Sequence, residues 1–156
     1  MKKISPFLWF DDQAEEAMNF YVSLFKNSKI LSVSRAAPEA PGDPGKVFVA
    51  SFEIDGQEIM ALNGGPDFSF TEAVSFYVNC DDQQEVDELW EKLSERGEKS
   101  RCGWLKDRFG LSWQIVPTVL GELMSGDPAS SKRVMDALLK MDKIDIATLR
   151  QAGEQP

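Results

Sequence analysis

Residues 102–117, CGWLKDRFGLSWQIVP, form the stretch that decides the fold of this chain. The pattern predicts two short strands, Gly103 to Arg108 and Leu111 to Val116, joined at Phe109-Gly110. Gln114 lies in the middle of the second strand, among tryptophan and aliphatic side chains. The stretch therefore predicts a hairpin that carries one polar candidate for a ligand site.

A strand followed by a helix occurs twice before this hairpin. The apolar run Ile4 to Phe10 is followed by Asp11-Asp12-Gln13, and the run Val74 to Cys80 is followed by Asp81-Asp82-Gln83. Apolar residues then recur at helical spacing after each triplet. The recurrence of a strand, a DDQ triplet and an amphipathic helix together predicts an internal repeat.

The two DDQ triplets are interpreted as helix starts. Asp12 with Glu15, and Asp82 with Glu85, have the spacing of a capping box. Gly97 is predicted to end the second helix at its C′ position. Capping explains both acidic pairs, so it is favoured over an acid–base dyad.

Further strands follow each helix and complete a β-α-β-β-β pattern in each half. Asp55-Gly56 is a hairpin turn signal between two of them, and residues 38–45, PEAPGDPG, predict a loop. The further predicted strands are Ile30 to Ala36, Lys46 to Ile54, Glu58 to Asn63 and Glu98 to Arg101, in addition to the two hairpin strands.

The predicted architecture is an α+β fold. Neither half is expected to bury its sheet alone, so residues 1–156 are predicted to form one domain with two modules around a shared cup. The modules are residues 1–66 and 67–117, and residues 118–156 form a helical tail. Asp127-Pro128 is the predicted start of the longest tail helix. We expect the tail to cover the sheet or a partner subunit.

Composition excludes several functional classes. The net charge of −9 disfavours binding to nucleic acid or to an anionic membrane surface. No apolar run approaches transmembrane length. The chain has no histidine, which excludes Ser-His-Asp and Cys-His catalysis within one chain. Cys80 and Cys102 are expected to be reduced thiols in a cytoplasmic protein.

Strand alternation selects the candidate ligand-binding residues, which are Phe7, Trp9, Asn63, Tyr77 and Gln114. Phe7, Trp9 and Tyr77 either line an apolar pocket or fill it. Gln114 either contacts a ligand or is a buried amide satisfied by the backbone. These alternatives are open at the level of sequence, and no catalytic residue is identified.

The register around Gln114 fixes what its neighbours should face. If Gln114 faces the cup, Ser112 and Val116 also face it. Trp113 and Ile115 then face the helices. On the strand after the Asp-Gly turn, Ile59, Ala61 and Asn63 are expected to share a face.

The double β-α-β-β-β pattern resembles the vicinal oxygen chelate superfamily, which includes glyoxalase I, extradiol dioxygenases and bleomycin-resistance proteins. More narrowly, four strings are similar to the PhnB-like family, whose domain is labelled 3-demethylubiquinone-9 3-methyltransferase. They are FLWFDDQAEEAMNFYVSLF, ALNGGPDFSFTEAVSFYVNCDD, CGWLKDRFGLSWQIVP and RVMDALLKMDKIDI. The resemblance covers essentially the whole chain. It implies paired βαβββ modules and a homodimer.

The resemblance also implies where a metal would bind. In the metal-dependent members, four ligands, typically His, Gln or Glu, come from the first, fourth, fifth and eighth strands. Carried onto this chain, these positions are Phe7 (or Ser5), Ala61, Ala73 and Gln114. Only Gln114 can act as a ligand, and one amide oxygen cannot hold zinc, nickel or iron. We therefore expect no metal and no other cofactor.

The methyltransferase label has no matching motif for a nucleotide-like cofactor. Asn63-Gly64-Gly65-Pro66 is the only glycine-rich candidate, and no helix start follows it. The leading expectation is a metal-independent, homodimeric protein that binds a small molecule. The alternatives are a glyoxalase-like or methyltransferase-labelled enzyme acting on a small apolar or quinone-like substrate, and a structural or regulatory dimer without a ligand.

Overall fold

The computed structural model describes residues 2–37 and 45–154. The loop predicted over residues 38–45 lies outside these described residues, apart from Gly45. The chain divides into two compact units, residues 1–69 and 70–156.

The described residues of the first unit form a four-stranded sheet with one helix. Its elements are β1 (Phe7–Phe10), α1 (Ala14–Leu24), β2 (Lys29–Arg35), β3 (Val47–Ile54) and β4 (Gln57–Asn63). The strand order is β1-β4-β3-β2. β1 runs parallel to β4, and the other neighbours are antiparallel. The predicted β-α-β-β-β pattern is confirmed in this unit, although β1 begins later than expected.

The second unit repeats this topology. Its elements are β5 (Ser75–Cys80), α2 (Gln83–Ser94), β6 (Glu98–Lys99), β7 (Trp104–Lys106) and β8 (Ser112–Pro117). The strand order is β5-β8-β7-β6, and β5 runs parallel to β8. The position of each strand in this sheet matches its counterpart in the first unit. The predicted internal repeat and the α+β fold are therefore confirmed.

The tail belongs to the second unit, and its described residues form three helices. They are α3 (Val119–Met124), α4 (Pro128–Leu138) and α5 (Ile146–Glu154). Val116, at the end of β8, forms a buried apolar cluster with the tail residues Val134, Leu138, Ile144 and Leu149. The tail therefore covers one end of the second sheet, as one of the two alternatives expected.

The start of α2 follows the prediction and also anchors the tail. Asp82 accepts a hydrogen bond from the backbone N–H of Glu85 at 2.9 Å, as a capping residue does. The side chain of Gln83 accepts a hydrogen bond from the backbone N–H of Ile146 at 2.8 Å and donates one to the carbonyl of Ile144 at 3.0 Å. The last residue of the second DDQ triplet thus fixes the start of α5.

The start of α1 differs from the prediction. The residue at its N-cap is Gln13, which makes no side-chain capping bond, so the capping box of Asp12 and Glu15 is wrong. The backbone N–H of Ala14 instead donates to the side-chain oxygen of Asn63 at 2.8 Å. A distant strand residue therefore satisfies a helix terminus that the local sequence was expected to cap.

Two turns are explained by their backbone angles. Asp55 and Gly56 have φ of 50° and 76°, which confirms the two-residue hairpin turn between β3 and β4. At the end of α2, the left-handed residue is Arg96, with φ of 58°, so the prediction of Gly97 at C′ is wrong. Gly97 is needed for another reason, because a Cβ there would overlap the carbonyl oxygen of Lys106.

The hairpin of residues 102–117 is held by Asp107, which sequence reasoning did not select. Asp107 is 2% exposed. Its Oδ1 accepts hydrogen bonds from the backbone N–H groups of Phe109 at 2.9 Å and Leu111 at 3.0 Å. Its Oδ2 accepts from the indole Nε1 of Trp113 at 3.0 Å. The carboxylate thereby fixes both the turn and the buried Trp113 side chain of β8.

Candidate functional site

The second sheet has one face covered by α2 and one face turned away from it. Trp113 and Ile115 are buried on the covered face, where α2 contacts β8. The Phe76 ring meets the Trp113 ring edge-on, with their centroids 5.1 Å apart. This arrangement agrees with the expected orientation of β8. We call the opposite face of each sheet, away from its own α1 or α2, the distal face.

The distal face of the second sheet places Gln114 between two aromatic residues. Gln114 is the register partner of Tyr77 on β5 and of Trp104 on β7. Because paired residues on neighbouring strands point to the same side, the three side chains form one row across the sheet. Tyr77 is 54% exposed, which leaves its ring available for contact. We call these residues the aromatic row.

The amide of Gln114 is partly satisfied by a neighbouring side chain of β5. Its Nε2 donates a hydrogen bond to Ser75 Oγ at 3.0 Å. Its Oε1 accepts no hydrogen bond from any residue that the structure describes. The amide is therefore held by a side chain rather than by the backbone, and its acceptor oxygen retains capacity for another partner.

A second row lies next to the aromatic row. Ser112 is the register partner of Ser75 on one side and Lys106 on the other. Ser112 is fully buried, and its Oγ has no hydrogen-bond partner in the described part of the chain. Most buried polar groups do have a partner. Ser112 is thus an unusual group for a sheet interior.

A cavity of about 510 Å³ borders this second row. Its walls include Ser112, Trp104 and Lys106, together with Glu72 and Arg101. We call it the Ser112 cavity. Its volume lies in the range that accommodates a small organic ligand.

An ion pair lies at the edge of the Ser112 cavity. Lys106 Nζ is 2.8 Å from Glu72 Oε1. The hydrogen bond from Lys106 lowers the pKa of Glu72, and the same bond raises the pKa of Lys106. Both groups stay charged near neutral pH.

In the first unit, the structure brings Phe7 and Trp9 together but separates them from Asn63. Phe7 and Trp9 lie on the distal face, as register partners of Met60 and Leu62. Asn63 is the partner of Phe10, on the opposite face.

Asn63 has a structural role that sequence reasoning missed. The Oδ1 of Asn63 accepts a hydrogen bond from the N–H of Ala14, and its Nδ2 donates to the carbonyl of Val47 at 2.9 Å. The amide links the starts of α1 and β3 through both of its ends. Its position at the end of a strand gave no signal of this, because both partners are distant in sequence.

Trp9 is held rigidly in the distal face of the first sheet. Its Nε1 donates to the carbonyl of Gly65 at 2.9 Å, and Phe68 meets its ring edge-on at 4.9 Å. Gly64 lies directly against the indole, where an added Cβ would overlap the ring. The glycine-rich segment thus accommodates Trp9, which explains it without a nucleotide. Phe7 is 50% exposed on the same face.

The donor set does not fit the four-ligand metal site that the resemblance implies. Ala61 is fully buried and, with Leu8, lies on the face opposite Phe7. The β4 residues that pair with Phe7 and Trp9 on this face are Met60 and Leu62, which are apolar. Glu58 shares the face but lies beyond the residues that pair with β1. Among the residues that the structure describes, no group of three or more Cys, Asp or Glu side chains is arranged to hold a metal ion.

The two cysteines do not form a disulfide in the structure. Cys80 is buried, and burial raises the pKa of its thiol to about 12. The Sγ of Cys102 is 3.5 Å from the carbonyl oxygen of Leu138 in the tail. Within residues 2–37 and 45–154, no helix combines the length and apolarity needed to cross a bilayer.

The repeated βαβββ modules define a protein of the vicinal oxygen chelate fold, and comparison with known proteins gives the family. The model of the 3-demethylubiquinone-9 3-methyltransferase family matches residues 2–116. The PhnB protein of Bacillus cereus, described by the same methyltransferase name, is 40% identical, with a TM-score of 0.72. The alignment covers 75% of this chain and 100% of that one. This chain therefore belongs to the PhnB-like, 3-demethylubiquinone-9 3-methyltransferase family.

Two further solved structures share the fold at lower identity. Protein PA1353 from Pseudomonas aeruginosa is 21% identical over 75% of this chain and 98% of its own, with a TM-score of 0.65. The fosfomycin resistance protein FosX from Listeria monocytogenes is 16% identical over 78% and 97%, with a TM-score of 0.51. No curated protein matches the chain. The family match ends at residue 116, just before the tail helices.

Proposed function

We propose that this protein binds a small molecule on the distal face of its second sheet, without a metal ion. The observation that carries the proposal is the aromatic row. Gln114 presents an acceptor oxygen with no partner among the described residues, between Tyr77 and Trp104. A few fixed polar groups among aromatic side chains are typical of ligand sites. The absence of histidine and the donor set support metal independence.

Phe7 and Trp9 are proposed as apolar contact residues on the distal face of the first sheet. Trp9 is preorganised by its hydrogen bond to Gly65 and by its contact with Phe68. Ligand binding would therefore lose little free energy in ordering this side chain. Asn63 was expected in the ligand set, but both ends of its amide are already hydrogen-bonded. We therefore propose it as a residue that positions α1.

Ligand titration with Gln114→Ala tests the proposal. A library of small aromatic and quinone-like compounds is titrated while tryptophan emission is followed, and hits are confirmed by calorimetry. Loss of one hydrogen bond at Gln114 should weaken a hit by about tenfold, which corresponds to a net hydrogen-bond free energy of about 1.4 kcal/mol. Gln84→Ala, on the exposed side of α2, is the matched control.

Two results would refute this function. One is the absence of any saturable change across the library. The other is an unchanged affinity of every hit in Gln114→Ala. Metal analysis of the purified protein addresses the second half of the proposal, because a stoichiometric bound metal would overturn metal independence.

An enzyme is the alternative function, favoured by the family name. It would be glyoxalase-like or methyltransferase-labelled and would act on a small apolar or quinone-like substrate. Saturable binding of S-adenosylmethionine by calorimetry would favour it over a binding protein. A Gly65→Ala variant tests whether this segment binds the cofactor, because Gly65 has φ of 92° and belongs to the only glycine-rich segment considered for a cofactor.

We also propose a homodimer in the cytoplasm. Apolar side chains exposed on the first unit, including Ile30, Leu31 and Phe48, provide surface for a second copy. The free thiols of Cys80 and Cys102 agree with a reducing compartment. Light scattering at micromolar concentration tests the assembly, and a monomeric mass would contradict it.

A further inference from the structure

The Ser112 cavity offers hydrogen-bond donors that the protein itself does not use fully. The Ser112 hydroxyl is buried and has no partner among the described residues. Its neighbour across the ladder is Lys106, so an ammonium group and a hydroxyl project from adjacent positions of one face. These two donors point to a ligand that brings acceptor oxygens.

The charge around the cavity is balanced, in contrast to the net charge of −9 of the whole chain. Three basic residues border it, Lys99, Arg101 and Lys106, against Glu72 and Glu98, and Lys99 is also paired with Glu91 at 3.1 Å. Arg101 has no ion-pair partner among the described residues, so it is the cation of the lining that most readily attracts an anion.

Glu72 is bonded to Lys106 in the structure. Its carboxylate lies 2.8 Å from the ammonium of Lys106, although Glu72 itself is largely exposed, in the turn before β5. An exposed ion pair of this kind contributes little stability, so an incoming anionic oxygen can replace it at low cost. The carboxylate of Glu72 therefore stands where a ligand oxygen would bind.

Trp104 supplies an aromatic ring to the lining of the cavity. It is half-buried and belongs to both the aromatic row and the cavity lining. An aromatic body in the cavity would pack against its ring while its acidic group reaches Lys106.

We propose that the Ser112 cavity selects small organic anions, with Lys106 and Ser112 binding the anionic oxygen, Trp104 contacting an aromatic body, and Glu72 acting as a displaceable competitor. This inference rests on the proposed function, since it names the ligand class of the same distal face. It assigns to Glu72 and Lys106 opposite effects on affinity, which gives a test by sign.

Calorimetric titration with four matched probes tests the selection. The probes are 2-naphthoate, 2-naphthyl phosphate, 2-naphthamide and 2-naphthylmethylamine, which share a ring system and differ in charge. We expect at least one of the two anions to bind about tenfold more tightly than the amide, because charge-assisted hydrogen bonds are the stronger class. The ratio between naphthoate and naphthyl phosphate identifies which anionic group fits.

Variants of the ion pair then test the mechanism. Lys106→Gln should weaken the preferred anion by about tenfold, and Ser112→Ala should weaken it about fivefold. Glu72→Gln should raise the affinity for the preferred anion by about two- to fivefold, which corresponds to the contribution of an exposed ion pair. Lys132→Gln and Glu88→Gln, on exposed helix faces of the same unit, make the same charge changes away from the cavity and should leave affinity unchanged.

Several outcomes would overturn the inference. They are tightest binding of the amine, equal binding of the amide and both anions, no binding of any probe, or weaker anion binding in Glu72→Gln. The function proposed above has a separate readout. If the amide binds and Gln114→Ala weakens it while the Glu72 and Lys106 variants do not, the binding function stands and the anion selection fails.

Discussion

Replacement of Asp107 should destabilise the protein more than any exposed acidic substitution. Its buried carboxylate receives the backbone N–H groups of Phe109 and Leu111 and the indole N–H of Trp113. Asp107→Ala removes the acceptor for all three donors. Asp107→Asn keeps one oxygen but turns an NH₂ group toward one of the donors.

The magnitude follows from the number of donors left without a partner. A buried donor without an acceptor costs about 1–3 kcal/mol, and Leu111 and Trp113 are each 1% exposed. We expect Asp107→Ala to lower the free energy of unfolding by about 3–5 kcal/mol. Asp107→Asn should cost about 1–3 kcal/mol, because one donor then faces another donor.

Urea unfolding measured by circular dichroism gives these values, with Asp142→Asn as the control on an exposed carboxylate of the same unit. A double-mutant cycle with Trp113→Phe isolates the indole bond. In the Trp113→Phe background the donor–donor conflict disappears, so Asp107→Asn should become less costly by about 1 kcal/mol or more. A cost below about 1 kcal/mol for Asp107→Ala, or no coupling to Trp113, would refute this reasoning.

Three further outcomes are expected. Gly64→Ala forces a methyl group against the indole of Trp9. It should lower the free energy of unfolding in urea by about 1–3 kcal/mol and shift the tryptophan emission. An unchanged midpoint of urea unfolding would contradict the contact. The hydrogen bond from Lys106 lowers the pKa of Glu72 in the folded state. The ion pair therefore stabilises the protein at pH values above 4.5, the ordinary pKa of a glutamate, and this stabilisation is lost as the pH falls below that value. The Tm difference between wild type and Glu72→Gln should therefore vanish on acidification, and a difference constant with pH would argue against the pair. Asp82→Ala should cost about 1 kcal/mol and Asp12→Ala almost nothing in urea unfolding, whereas equal costs would contradict the different starts of the two helices.

The sequence predicted what depends on local patterns. Strand alternation, helical spacing and the Asp55-Gly56 turn are read from neighbouring residues, and they led to the repeated topology. The Asp82 cap was also predictable, because its partner is three residues away.

What could not be predicted depends on contacts between distant residues. Asn63 caps a helix whose first residue lies 49 positions earlier in the chain. The role of Gly97 depends on the approach of the Lys106 carbonyl from β7. The Ser112 cavity needs the register of β7 and β8, since a shift of one residue would move Ser112 to the face of α2.

The two DDQ triplets show that the two units cap the start of their helix in different ways. In each unit, the last residue of the first strand, Phe10 or Cys80, pairs with the last residue of the neighbouring parallel strand. That partner is Asn63 in the first unit and Pro117 in the second.

An asparagine at this position can receive the first N–H of the following helix, and it does so for α1. A proline has no side-chain acceptor, so α2 needs the carboxylate of Asp82 for the same purpose. Gln83, which is not needed to cap α2, instead binds the backbone of the tail at Ile144 and Ile146. The DDQ triplet therefore has different roles in the two units, because the residue at the end of the parallel strand determines whether a residue of the triplet must cap the helix.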